Sequence, residues 1–147
     1  NDYSYLQDPG KSYDNRWMHR PVIDWDKNKR INAEGTIEYQ VFHATQKLIS
    51  IRKKLFAVGD YKNLTWMTPH NIHVAGFVRS LGGDKLFGVF NFNAQPSFLT
   101  WYAFKEQDPG SVKLFDHWKQ KTYDIGEDHD YLVIEPYGFH LLEPVKG

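Results

Sequence analysis

Thr36–Tyr61, TIEYQVFHATQKLISIRKKLFAVGDY, is the stretch on which the fold turns. Ile37, Val41, Ala44, Leu48, Ile51 and Leu55 recur at alternating spacings of four and three, which aligns them on one face of a helix. Phe42 and Ile49 widen that stripe, so the helix is expected to pack broadly against a larger body. Lys53 and Lys54 fall in its last turn, where positive charge suits the helix dipole. Gly59 offers a stop soon after. The chain before this helix reads as loop and the chain after it reads as strands.

Outward on the N-terminal side, Asn1–Ala33 carries Pro9, Gly10 and Pro21 and no sustained helix or strand period. A structureless stretch of about 30 residues is rare in a compact domain unless it is functional or disordered. Tyr3, Tyr5, Leu6, Trp17, Ile23 and Trp25 make this one too apolar for disorder. It is expected to be an ordered loop packed on something. One helix and a set of strands do not obviously supply that something, so its partner is expected to lie outside the chain.

On the C-terminal side, strand signals follow quickly. Residues 72–81 (IHVAGFVRSL) and 85–92 (KLFGVFNF) flank Gly82-Gly83-Asp84 and read as a hairpin. Residues 63–68, 97–104, 111–115, 122–125, 130–134 and 139–143 bring the expected total to about eight short strands, the pattern of a two-sheet antiparallel sandwich. Turn signals at Asp108-Pro109-Gly110, Gly126-Glu127-Asp128 and Pro136-Tyr137-Gly138 separate them.

Composition narrows the function classes. The 18 Lys plus Arg balance 18 Asp plus Glu over 147 residues, so nothing points to nucleic acid or an anionic membrane. No apolar run approaches the roughly 20 residues that span a bilayer. There is no cysteine, which excludes disulfides and leaves the compartment open. The chain starts at Asn1 without Met, which is read as a cut or boundary, so localisation is unknown.

Catalytic constellations are scarce. His43, His70, His73, His117, His129 and His140 lack ligand spacing and read as surface or hydrogen-bonded histidines, so no metal or other cofactor is expected. Asp84, Asp116, Asp124, Glu127, Asp128 and Asp130 fall at turns, where Asp serves the backbone. Asp116 or Asp130 as one of two catalytic carboxylates would need a partner about 5 to 9.5 Å away, which the sequence does not place. The loop NDYSYLQDPGKSYDNRWMHRP, Asn1–Pro21, is the exception. Its Asp2, Asp8, Asp14, Arg16, His19 and Arg20, mixed with Tyr and Trp, suit a polyhydroxyl ligand, since guanidinium and carboxylate groups bond hydroxyls and rings cover the apolar sugar face. Equally, Arg16 and Arg20 could form ion pairs that only hold the loop.

That loop resembles the segment after the eighth barrel strand in amylosucrases and related α-glucan enzymes of glycoside hydrolase family 13, the α-amylase family. The helix TQKLISIRKKLFAVGDY resembles that family's last barrel helix and its exit into the C-terminal sandwich. KLFDHWKQKTYDI and YLVIEPYGFHLLEP resemble the closing strands, the Pro-Tyr-Gly turn included. The resemblance implies a mainly β fold: an antiparallel C-terminal β-sandwich of the α-amylase C-domain type, preceded by one long helix and an irregular loop left over from a β/α barrel. Residues 1–58 would be the barrel's tail and 59–147 the sandwich.

The parent implied by the resemblance is a glycosidase or glucosyltransferase working by retaining double displacement, its three acids coming from loops after the fourth, fifth and seventh barrel strands. All three would lie upstream of Asn1, so the chain itself is expected to be catalytically silent. Because barrel sites gather at the C-terminal ends of strands, the loop could still touch substrate. Arg16 matches the arginine that pairs with an acidic residue to close the floor of the glucose pocket. Asn1, Asp2 and Tyr3 would line the rim, and Trp17, His19 and Arg20 would anchor the loop. The substrate implied is sucrose or another α-glucoside, bound through the barrel, and the chain alone could self-associate over its exposed apolar face. Two other roles stay open for the sandwich: an autonomous carbohydrate-binding module with Trp66, Trp101 or Trp118 as platform, or simple structural support.

Overall fold

The computed structural model describes residues 3–19, 23–125 and 131–145. By internal contacts the chain divides into two compact units, Asn1–Gln46 and Lys47–Gly147.

In the first unit the expected irregular loop is a succession of single turns. Ser4–Gln7, Asn15–His19 and Lys29–Asn32 are 3-10 turns, and α1 (Trp25–Asn28) is one α-turn capped by Asp24, which accepts from the Lys27 amide at 2.9 Å. Pro9, Gly10 and Asp8 explain the interruption. Asp8 accepts from the Gly10 amide at 2.9 Å and pairs with Lys11 at 3.0 Å, closing a local turn instead of extending a helix. Tyr5 is buried, and its hydroxyl donates to Asn15 Oδ1 at 3.0 Å, tying the first two turns together.

The long helix, α2 (Ile37–Lys54), begins in the first unit and ends in the second. Thr36 caps it. Its Oγ1 accepts from the Tyr39 amide at 3.2 Å and donates to the Ala33 carbonyl at 2.7 Å. Only the C-terminal end of the apolar stripe is covered, at Ile51 and Leu55; Ile37 and Val41 are 75% and 61% exposed, and Phe42, Leu48 and Ile49 are exposed too. The helix stops before Gly59. Leu55 turns extended (φ −93°, ψ 109°), Phe56–Val58 forms a 3-10 turn, and Gly59 has φ −68°, so it is not a left-handed cap.

Among the described residues the second unit holds eight strands: β1 (Leu64–Trp66), β2 (Val74–Leu81), β3 (Asp84–Asn91), β4 (Ser97–Thr100), β5 (Lys113–Asp116), β6 (Lys121–Asp124), β7 (Tyr131–Ile134) and β8 (Phe139–Pro144). They form a six-stranded sheet, β1-β2-β3-β8-β5-β6, and a two-stranded sheet, β4-β7, with every pair antiparallel. The fold is mainly β and sandwich-like. One expected strand is cut short: 97–104 breaks after Thr100, and α3 (Tyr102–Lys105) buries Ala103 and Phe104 as a helical turn. The β2–β3 hairpin turns on Gly82 and Gly83, at φ 58° and 88°, with Leu81 opposite Asp84. Positive φ at both central positions matches the twist of the strands, and glycine adopts it without strain.

Alternation decides the faces. Val74, Val78, Phe87, Val89, Leu114 and Leu142 share a core with Leu99, Leu132 and Ile134 of the smaller sheet and with Trp101 and Phe104. Phe87 meets Phe104 edge to face at 5.3 Å. On the opposite face of the large sheet, Leu86 packs with Ile51, Leu55 and Ala57, flanked by Val58, Trp118 and Leu141. The end of α2 is thereby seated on the sheet, which is why contacts divide the chain inside the helix. Fully burying one such aliphatic side chain is worth about 1.5–3 kcal/mol. On the same outer face Phe77 lies across Gly88, its register partner, and a Cβ on Gly88 would stand 2.5 Å from Phe77 Cζ.

Candidate functional site

Among the described residues of the loop Asn1–Pro21, charges pair with near neighbours in sequence. Asp14 receives the Arg16 guanidinium, with Nη2–Oδ2 at 2.7 Å and Nε at 2.9 Å from both oxygens, and the Arg16 amide at 3.0 Å. The hydrogen bonds that Arg16 donates to Asp14, then the charge of that carboxylate, push the Arg16 pKa up. Two residues apart, the pair folds the backbone back at the start of the Asn15–His19 turn while leaving the guanidinium largely in solvent. Tyr3, Trp17 and His19 are exposed, and Lys11 Nζ stands 5.3 Å from the Trp17 ring. The described contact that ties the loop together is Tyr5–Asn15, which composition did not single out. Asn1, Asp2 and Arg20 lie outside the described residues.

The three tryptophans weighed as sugar platforms separate by burial. Trp101 is buried in the core beside Phe104 at 5.7 Å and cannot present an open face. Trp118 is half-buried: Lys47 Nζ sits 4.4 Å from its ring centroid and donates to its carbonyl at 2.7 Å, and Phe139 tilts against it at 5.0 Å. Trp66, at the edge strand β1, is 70% exposed.

The strongest polar constellation is one that the sequence hid. Asp116 at the end of β5 and His140 on β8 are both fully buried, with Asp116 Oδ2 2.7 Å from His140 Nδ1. His140 Nε2 faces the Val133 carbonyl at 3.1 Å, an acceptor only, so that nitrogen carries a proton and donates. Asp116 Oδ1 accepts the amides of Trp118 at 2.8 Å and Lys119 at 3.1 Å. Burial pushes the Asp116 carboxyl up, but the His140 hydrogen bond, the Lys119 amide, the His140 charge and the Trp118 amide together hold it below the ordinary carboxylate value. Through Val133 the network staples β5 and β8 of the large sheet to β7 of the small one. Asp116 is therefore closed off from solvent. Its acid is spent on the fold, as the turn reading of that residue expects.

A second polar knot surrounds Asp108, which accepts from Lys85 at 3.0 Å and from Ser111. Burial raises its carboxyl, and those partners bring it below the usual range. His117 and Glu143 meet at 2.8 Å. Among the described residues, no group of three His, Asp or Glu is placed to hold a metal ion. His129 and Asp130 lie outside the described residues.

No protein-family model matches the chain. Its fold is similar to part of AmyP, solved in complex with maltose, at a TM-score of 0.60 and 16% identity over 75% of this chain and 22% of that one. Weaker likenesses are to a GH27 β-L-arabinopyranosidase from Geobacillus stearothermophilus (TM-score 0.46, 12% identity, 57% of this chain and 19% of that) and to α-galactosidase I from Mortierella vinacea (0.39, 19%, 52% and 22%). At these identities the likeness is one of fold. The chain spans about a fifth of the length of each of these proteins.

Proposed function

We propose that this chain is a non-catalytic, mainly structural C-terminal part of an α-glucan- or sucrose-active enzyme of the α-amylase family, with glucosyl transfer or hydrolysis performed elsewhere in the parent. The observation that carries the reading is the open stripe on α2. Ile37, Val41, Phe42, Leu48 and Ile49 are exposed, while the same stripe is covered at Ile51 and Leu55, where the sheet meets it. A helix that keeps a continuous apolar face and covers only its end is built to lie against a larger body. The resemblance of Asn1–Pro21 to an α-glucan enzyme loop and the fold likeness to a maltose-bound protein support the choice of body and substrate.

In this reading residues 1–58 belong to the catalytic barrel's tail and 59–147 to a C-terminal sandwich, a boundary of origin, whereas contacts divide the chain at Gln46. Arg16, now held by Asp14, would close the glucose pocket once an acidic partner from the barrel replaces or shares that carboxylate. Asn1, Asp2 and Tyr3 would line the rim, and Trp17, His19 and Arg20 would seat the loop. Assaying the chain on sucrose, maltose and starch tests the reading: no turnover is expected, and measurable release of glucose or fructose overturns it. Light scattering should show self-association that Val41→Lys reverses, because the stripe is open in the chain alone.

A further inference from the structure

A cleft of about 570 Å³ opens between β6 and β7, where the edge of the large sheet passes the small one. That volume lies within the roughly 300–1,000 Å³ of small-ligand sites. Three aromatic side chains line it at different depths. Trp101 is buried, Tyr123 is half-buried, and Tyr131 is 40% exposed. Phe98 meets Tyr131 edge to face at 4.9 Å and fixes the orientation of its ring. Tyr123 is held from behind by His140 at 5.8 Å, the same imidazole that staples the sheets. Trp101 and Tyr123 are therefore anchored at the core, and Tyr131 is held at the surface by Phe98.

The polar lining is balanced. Lys119, Lys121, Asp124 and Glu135 line the cleft, two charges of each sign. Lys121 Nζ covers the Tyr123 ring at 4.9 Å. Asp124 Oδ1 is shielded from solvent and sits 3.0 Å from Lys113 Nζ, yet receives no hydrogen bond from a described residue. A phosphate or other anion would meet two carboxylates here, and a cation two ammonium groups. A neutral polyhydroxyl chain meets neither penalty: its hydroxyls donate to the carboxylates and accept from the lysines, and its apolar ring face lies on Tyr131.

We infer that this cleft binds a short stretch of neutral oligosaccharide, with Tyr131 as the stacking ring and Lys119, Lys121, Asp124 and Glu135 as the hydroxyl partners. The choice of an α-1,4-glucan as first ligand rests on the proposed function. The site itself rests on the cleft's own lining, and it uses residues distinct from Trp66 and Trp118.

The test is titration of the full 147-residue chain with maltotriose and, separately, cellotriose, followed by calorimetry and by NMR shifts of backbone amides and tryptophan indoles. Saturable binding is expected, with shifts confined to residues 119–124, 131–135 and Trp101. Tyr131→Leu should weaken it by about tenfold or more. Lys119→Ala with Lys121→Ala, both at exposed positions, should weaken it several-fold without disturbing the core, and Trp66→Ala should leave it unchanged. No saturable binding of either trisaccharide, shifts elsewhere, or affinity indifferent to both cleft variants overturns the inference. Failure of both sugars to bind in a chain that remains catalytically silent removes the cleft and leaves the proposed function standing. Cellotriose binding without maltotriose binding upholds the cleft and contradicts the α-glucan assignment.

Discussion

The two units of this chain use opposite means to hold a shape. The sheet unit buries Phe87, Phe104, Leu99, Leu132, Ile134 and Leu142 completely and closes its two fully buried ionisable groups, Asp116 and His140, in a network with the Val133 carbonyl. Among the described residues, the N-terminal unit buries Tyr5 and otherwise shows single turns, exposed ion pairs such as Asp8–Lys11 and Asp14–Arg16, and a capped helix whose apolar side is open. Exposed ion pairs contribute little, because water and salt screen them and two side chains must be ordered. Burial of apolar surface stabilises far more. The first unit thus has the geometry of a folded element without the packing that normally maintains one.

The units should differ most in their response to changes at the core. Phe87→Ala should cost the sheet unit about 3–5 kcal/mol, through lost burial and the cavity left against Phe104. His140→Ala should cost a similar amount, about 3–5 kcal/mol, because the buried Asp116 loses its partner. Denaturant unfolding followed by tryptophan fluorescence measures both, and losses under about 1 kcal/mol would refute the packing described. Next in size is Gly88→Ala, expected to cost about 1–3 kcal/mol because Phe77 must leave its place over the backbone.

Acid should weaken the sheet unit through two of its carboxylates. Asp116 and Asp108 both lie below their ordinary carboxylate values in the folded chain. Such groups stabilise the fold where the unfolded carboxyl is ionised, above about pH 4, and that contribution is lost as pH falls through the lower folded values. The sheet unit should therefore weaken below about pH 4, and Asp116→Asn should flatten the dependence. Thermal unfolding measured across that range decides it; an unchanged slope in the variant would contradict the role given to Asp116. The smallest effect belongs to the first unit. Tyr5→Phe removes the bond to Asn15 and should cost that unit about 0.5–1.5 kcal/mol, with the unfolding midpoint of the sheet unchanged.

Much of this was legible in the sequence because local signals and global packing agree. Gly82-Gly83 between alternating apolar runs marked the β2–β3 hairpin, and the four-and-three spacing marked α2. The break at Thr100 was not legible, since Trp101, Ala103 and Phe104 are apolar in either a strand or a turn and only the core decides between them. The end of α2 falls a few residues before the glycine that signals a stop, because the burial of Leu55 against the sheet fixes the exit and Gly59 does not. Asp116 and His140 stand 24 positions apart, and no spacing rule links residues that only a β5–β8 pairing brings together. Tryptophan count likewise says nothing of depth, and depth separates buried Trp101 from exposed Trp66.

Amide hydrogen exchange on the chain asks whether the sheet unit sustains itself while the N-terminal unit, with its apolar side open, opens readily. Slow exchange through β2, β3 and β8 is expected, with residues 3–19 and the first turns of α2 exchanging near the rate of an open helix. Equal protection in both units, at protein concentrations where the chain is monomeric, would rule this division out.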